Sequence, residues 1–211
     1  MIKQRLHQSR RLFLKVCGLT RAEDVQGCID LGVDATGFIF VQGSPRKVSP
    51  EKVASFPKGA ALRVGVFAAT SPDKVVEIAD SLALDYIQLH GGETEAFCQA
   101  VGGHRVLKVL WPENMSLAEL EAQCTRFAPY CAAFIFDAGK SGGGSGKSLN
   151  FKSLFGLNIA RPWLLAGGLN CENVFAASTA CKPNGLDLNS GVELSPGVKN
   201  LELIKKIRNL V

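Results

Sequence analysis

Short runs rich in β-branched and aromatic residues alternate with helical stretches along the whole of this 211-residue chain. That alternation limits the fold more than any other feature. The β-rich runs are Phe13 to Cys17, Ala35 to Phe40, Leu62 to Phe67, Tyr86 to Leu89, Val106 to Leu110, Ala132 to Phe136, Trp163 to Ala166 and Leu186 to Leu188. Helices are expected over about 21–31, after Ser49-Pro50, after Ser71-Pro72-Asp73, over Thr94 to Val101 and over Leu117 to Phe127. Further helices are expected from near Phe151, over about 171–180 and over Leu201 to Leu210. Ser before Pro marks a helix start, because the hydroxyl caps free N–H groups and Pro suits the first turn. Strands joined through helices pair in parallel, and eight such units imply a single-domain (β/α)8 TIM barrel. Its expected span is 12–211, after a basic extension over 1–11. The competing fold, an open doubly wound sheet, usually carries its glycine fingerprint after the first strand. Here the glycine-rich loops follow strands six, seven and eight.

Composition narrows the function. With 46% hydrophobic and 20% charged residues, the chain reads as globular material rather than disorder. No apolar run approaches the roughly 18 residues that span a bilayer, so no membrane association is expected. Net charge is +5, and part of the excess sits in Lys3, Arg5, Arg10 and Arg11, a stretch without acids. This basic start reads as a simple tail, with a transit peptide as the alternative. The rest is too mildly basic for a nucleic-acid track and suits a small phosphorylated substrate. Seven cysteines without a Cys-x-x-Cys pair fit neither a disulfide framework nor a zinc site. Cys28, Cys98 and Cys124 fall in helices as small hydrophobes, and the chain reads as cytoplasmic.

Strand six ends at Asp137 and opens into Gly139 to Lys147, a stretch with five glycines, two lysines and two serines. A nucleotide phosphate loop is the first idea, and the letters reject it. A Walker A loop needs Gly five positions before Gly146-Lys147-Ser148, and Ser141 stands there. The dinucleotide pattern fails as well, because Gly142 and Gly144 are followed by Lys147 where Gly is required.

Barrel sites lie at the C-terminal ends of the strands. Those ends carry Cys17-Gly18, Gln42-Gly-Ser-Pro-Arg46, His90-Gly91-Gly92, Asp137, Gly167-Gly168 and Asn189-Ser190-Gly191. Cys17 is either a buried structural thiol or a base, and as a base it needs help, such as the charge of Lys15 or a helix N-terminus. Asp137 is either a cap or an acid, and an acid ending an apolar strand favours chemistry. His90 either fixes its loop or enters the site. Arg46 suits a carboxylate or phosphate. Gly167, Gly168, Ser190 and Gly191 follow strands seven and eight, where barrels often bind phosphate through backbone N–H groups. The period of two places Lys15 and Asp187 on neighbouring strands facing inward, which predicts an interior ion pair beneath the site.

The motifs Lys15-Val-Cys-Gly-Leu-Thr20, Gly37-Phe-Ile-Phe40 with Ser44-Pro-Arg46, and Gln88-Leu-His-Gly91 occur in order. Phe136-Asp137 with its loop, Ala166-Gly-Gly-Leu169 and Asn189-Ser-Gly-Val-Glu193 with Pro196-Gly197 follow. From about Lys15 to the end, the chain resembles the phosphoribosylanthranilate isomerase family of tryptophan biosynthesis. The resemblance implies an Amadori rearrangement of an aminoaldose to an aminoketose without cofactor or metal, the third step of the tryptophan branch from chorismate. It implies Cys17 as general base at C2′ of the ribose and Asp137 as general acid on the ring oxygen. Arg46 would meet the anthranilate carboxylate, and Gly167, Gly168, Ser190 and Gly191 would hold the phosphate. His90 and Asp187 are further expected substrate contacts. Gly139 to Lys147 would act as a mobile flap whose Gly143 and Gly144 add backbone donors on closure. The implied partner is a small phosphoribosyl substrate, and the implied state a monomer or homodimer. Ser145 and Asn150 depart from the Thr and Asp frequent in the family.

Two other classes compete. Another phosphosugar barrel, a lyase or an aldose–ketose isomerase, would use paired Asp residues or Lys15 as base. A phosphate-binding protein without catalysis would tolerate loss of Cys17 or Asp137, and both are present.

Overall fold

The computed structural model describes residues 11–137, 154 and 156–211. Eight strands form a closed barrel in chain order: β1 (Phe13–Val16), β2 (Ala35–Ile39), β3 (Leu62–Phe67), β4 (Tyr86–Leu89), β5 (Val106–Leu110), β6 (Ala133–Phe136), β7 (Trp163–Leu165) and β8 (Gly185–Leu188). Every neighbouring pair is parallel, including the closing pair β1–β8. The helices are α1 (Ala22–Asp30), α2 (Pro50–Ala54), α3 (Pro72–Ser81), α4 (Glu95–Ala100), α5 (Leu117–Phe127), α6 (Val174–Cys181) and α7 (Leu201–Leu210). Cys28, Cys98 and Cys124 are buried in α1, α4 and α5, as expected. The helix expected from near Phe151, the flap with Gly143 and Gly144, and residues 1–10 of the basic extension lie outside the described residues. Arg11, the last residue of that extension, is 3.3 Å from Asp34.

Local chemistry sets the helix starts. Ser49 and Ser71 accept hydrogen bonds from the N–H groups of Lys52 and Lys74, each ahead of a proline in the first turn. Ser116 and Glu119 form a reciprocal capping box at α5. The helix expected from about residue 171 begins later, at Val174. Asn170 Oδ1 accepts from the N–H groups of Glu172 and Asn173, and that side-chain turn competes with helix.

Alternation along each strand divides the apolar residues into two bodies. Phe13, Leu62, Val64, Leu107, Val109, Ile135 and Leu164 fill the barrel, while Leu14, Val16, Phe38, Ile87, Phe134, Phe136 and Leu186 pack beneath the helices. Each such fully buried side chain contributes about 1.5–3 kcal/mol relative to exposure. After β8 the chain makes a two-stranded antiparallel ribbon, β9 (Glu193–Ser195) and β10 (Val198–Lys199), which the sequence pattern does not announce. The Lys199 N–H donates to Asp24 on α1 at 3.1 Å and ties this ribbon across the top of β1.

Candidate active site

Parity carries side chains from the packed interior to the rim. Cys17 follows β1 on the same face as Phe13 and Lys15, and its N–H donates to Leu188 O at 2.8 Å. A Cβ on Gly37 would lie 2.9 Å from the Cys17 Sγ, so β2 reaches Cys17 only because that position is glycine. Asp137 follows Ile135 by two, and its N–H donates to Leu110 O at 3.1 Å. Both residues are buried and line a cavity of about 400 Å3 with Arg46, His90, Gly167, Gly168, Asp187, Ser190 and Gly191. Every expected site residue among the described ones therefore opens onto one space. His90 Nε2 stands 3.7 Å from Asp137 Oδ2, beyond hydrogen-bond range, with its ring tilted on Trp111. Burial lowers the His90 pKa, so its imidazole is neutral at neutral pH.

Beneath the cavity lies the expected ion pair. Lys15 and Asp187 are register partners, and Lys15 Nζ donates to both Asp187 oxygens at 2.8 and 2.7 Å. Burial opposes the charge on Lys15, and Asp187 outweighs it, so the lysine pKa rises. For Cys17, burial is the largest influence and raises the thiol pKa. Lys15 and Lys199 pull it down, and Asp187 pushes it up. The expectation that Lys15 would activate this thiol is thus only half met, because Asp187 offsets the same lysine. Before substrate enters, Cys17 is a thiol at neutral pH.

Arg46 is held side-on by Glu193. Its Nε donates at 2.9 and 3.1 Å to the two carboxylate oxygens, and Nη2 donates to Oε2 at 2.7 Å. Glu193 also accepts from Lys199 Nζ at 2.7 Å and from the Gly197 N–H at 3.1 Å. Burial works against the Glu193 charge, but these donors prevail and its pKa falls. Lys199 moves the other way to an ordinary lysine in an ion pair. Burial lowers its pKa, the contact with Glu193 only partly offsets this, and the nearby Arg46 charge lowers it further. Sequence reasoning assigned no role to Glu193, Lys199 or Gln88. Gln88 lines the same cavity, and its buried Oε1 has no hydrogen-bond partner among the described residues. Its signal was available: Gln88 shares the inward parity of Tyr86 in an otherwise apolar strand.

The loops after β7 and β8 lie against each other. Gly167 and Gly168 both take positive φ, at 92° and 63°. A Cβ on Gly191 would sit 2.0 Å from Leu169 O, so only glycine allows the two backbones this close. Ser190 begins a single 3-10 turn that ends at Val192. Exposed N–H groups in such loops suit an anion. Among the described residues, no group of three or more His, Cys, Asp or Glu could hold a metal.

Residues 14–209 match the family model described as N-(5'phosphoribosyl)anthranilate (PRA) isomerase. A Maridesulfovibrio salexigens protein named N-(5'-phosphoribosyl)anthranilate isomerase is 49% identical over 189 residues, covering 89% of this chain and 92% of that protein. The crystal structure of phosphoribosyl anthranilate isomerase from Thermotoga maritima superposes with a TM-score of 0.83 at 31% identity, covering 93% of this chain and 96% of the other. A second solved isomerase, in complex with reduced 1-(o-carboxyphenylamino)-1-deoxyribulose 5-phosphate, gives a TM-score of 0.79 at 28% identity and covers 94% and 97% of the two chains.

Proposed function

The chain belongs to the N-(5'-phosphoribosyl)anthranilate isomerase family, and on that premise we propose that Cys17 and Asp137 carry its reaction as general base and general acid. The chain is an isomerase that converts the aminoaldose to the aminoketose in tryptophan biosynthesis. Asp137 gives a proton to the ribose ring oxygen as the C1′–O bond breaks, and the anthranilate nitrogen supplies the electrons, leaving a C1′=N iminium. Cys17 gives up its own proton to solvent, and the resulting thiolate then takes the proton from C2′. The C2′–H electrons form C1′=C2′, and those of the C=N bond return to nitrogen. Tautomerisation of this enol-enamine, with the C2′ hydroxyl proton lost and C1′ protonated, gives the ketone. No external electron acceptor is required.

One observation carries this reading: an acid on the end of β6 and a thiol on the end of β1 line the same cavity. Arg46 receives the anthranilate carboxylate, and Gly167, Gly168, Ser190 and Gly191 hold the phosphate. His90 and Asp187 make further substrate contacts. Gly143 and Gly144 belong to the same proposal, as donors from the flap. Every named residue comes from one chain, so a monomer or a homodimer suffices. Free cysteines suit the reducing cytoplasm, and no helix among the described residues is long and apolar enough to cross a membrane.

The test follows loss of anthranilate-type fluorescence on N-(5-phosphoribosyl)anthranilate. Cys17→Ser and Asp137→Asn should each remain folded and lose about 10²-fold or more in turnover. Near-normal turnover in either variant removes that residue from the chemistry.

A further inference from the structure

The strongest unassigned feature near the site is the carboxylate shared by Arg46 and Lys199. A guanidinium carries five N–H donors in a planar fork. Glu193 takes the Nε–Nη2 edge of Arg46 through both of its oxygens. A guanidinium held on that edge offers a second carboxylate its Nη1–Nη2 edge in bidentate form. Which edge faces the ligand, and in which plane, is therefore set by Glu193.

The surroundings make this arrangement stiff. Glu193 and Arg46 side chains are 4% and 9% exposed, so neither carboxylate nor fork is free to exchange for solvent. Lys199 Nζ, itself fully buried, donates to Glu193 Oε1 at 2.7 Å and to Asn189 Oδ1 at 3.0 Å. The Gly197 N–H adds a further donor to Oε1. The ribbon β9–β10 thus reaches from the end of β8 and grips the one arginine of the β2 loop that lines the cavity. Two cations against one anion leave this trio with a charge of +1. A ligand carboxylate on Arg46 completes its neutralisation.

We propose that Glu193 is a positioning residue that fixes the orientation of Arg46 and thereby selects substrates whose aromatic ring carries a carboxylate. The inference rests on the assignment of Arg46 to that carboxylate. Without the Glu193 charge, Arg46 and Lys199 repel each other, and the fork loses its edge contact.

The test is a selectivity ratio: kcat/KM for the phosphoribosyl conjugate of anthranilate divided by that for the conjugate of aniline, which lacks the acid. Each conjugate is formed by condensing the amine with ribose 5-phosphate. Arg46→Met should collapse the ratio. Glu193→Gln should lower it about tenfold or more, through KM for the anthranilate conjugate, with the aniline conjugate little changed. The double variant should be no less selective than Arg46→Met alone. Should Glu193→Gln fail to fold, Glu193→Asp keeps the charge beside Lys199 but withdraws one oxygen from the fork, and should lower the ratio by a smaller factor. If Arg46→Met leaves the ratio intact, the carboxylate assignment fails, and this inference fails with it. If Arg46→Met collapses the ratio while the Glu193 variants lower both substrates equally, the assignment stands and the positioning role is overturned.

Discussion

Of the buried lysine–carboxylate pairs in this barrel, Lys15–Asp187 and Lys108–Glu93 lie on opposite faces of the same sheet. Lys15 and Asp187 meet inside it at 2.7 Å, with side chains 0% and 6% exposed. Lys108 and Glu93 meet between sheet and helices at 3.0 Å, with side chains 3% and 7% exposed. Burial and length barely separate them, but their remaining contacts do. Asp187 gives both oxygens to one lysine, beside the Cys17 thiol. Glu93 Oε2 receives Lys108 and also the Gly91 N–H, while Lys108 donates to Gly91 O at 2.8 Å. The outer pair therefore clasps both polar groups of one loop residue, next to His90. The lesson is that a buried ion pair is defined by its surroundings: a cavity and the Cys17 thiol in one case, backbone in the other.

Breaking the inner pair should have the largest effect. Asp187→Asn leaves a buried lysine without its anion, at a cost of about 3–5 kcal/mol in urea unfolding. Because Asp187 also lines the cavity proposed to hold the substrate, kcat/KM should fall about 10²-fold or more in the fluorescence assay. Glu93→Gln should cost a comparable amount of stability, on the order of 3–5 kcal/mol, yet keep kcat/KM within about tenfold. Equal loss of turnover in the two variants would erase the distinction between the pairs.

The smallest effect is the most diagnostic. Burial first, and Asp187 in addition, hold the Cys17 thiol above its ordinary pKa. A raised thiol pKa means that the thiolate forms only at higher pH, so iodoacetamide should label Cys17 with a rate that rises through the alkaline range. Asp187→Asn removes an anion that raises this pKa and leaves Lys15 facing the sulfur, so its labelling curve should move to lower pH. Glu93→Gln should leave the curve where it is. A shift of the same size in both variants would mean that the outer pair also reaches the thiol.

The same contrast shows how far the letters reach. Lys15 and Asp187 were legible because each lies two positions before a rim residue on strands that close a barrel, so parity alone brings them together. The seven described helices and all eight barrel strands were legible from alternation and from the Ser-Pro starts, apart from shifts at their ends. Lys108 and Glu93 were not, because a lysine inside Val-Leu-Lys-Val-Leu carries no sign of which face is wet. The ribbon β9–β10 escaped for another reason. Its strands are three and two residues long, too short for any periodicity, and distant ties such as Lys199 to Asp24 hold it in place. Glu193 was visible as part of a motif, but its hold on Arg46 spans 147 positions and appears only in three dimensions.

The distance along the chain between Lys15 and Asp187, 172 positions, has a consequence in time. Synthesis runs from the N-terminus, so the thiol and its lysine leave the ribosome first and their anion arrives with the last barrel strand. Until β8 docks, Lys15 has no Asp187 to face, and burying its charge alone is costly. Closing so long a loop is slow. The pair therefore cannot form before β8 is made, and a nascent chain stalled short of β8 has Lys15 and Cys17 without Asp187 beside them.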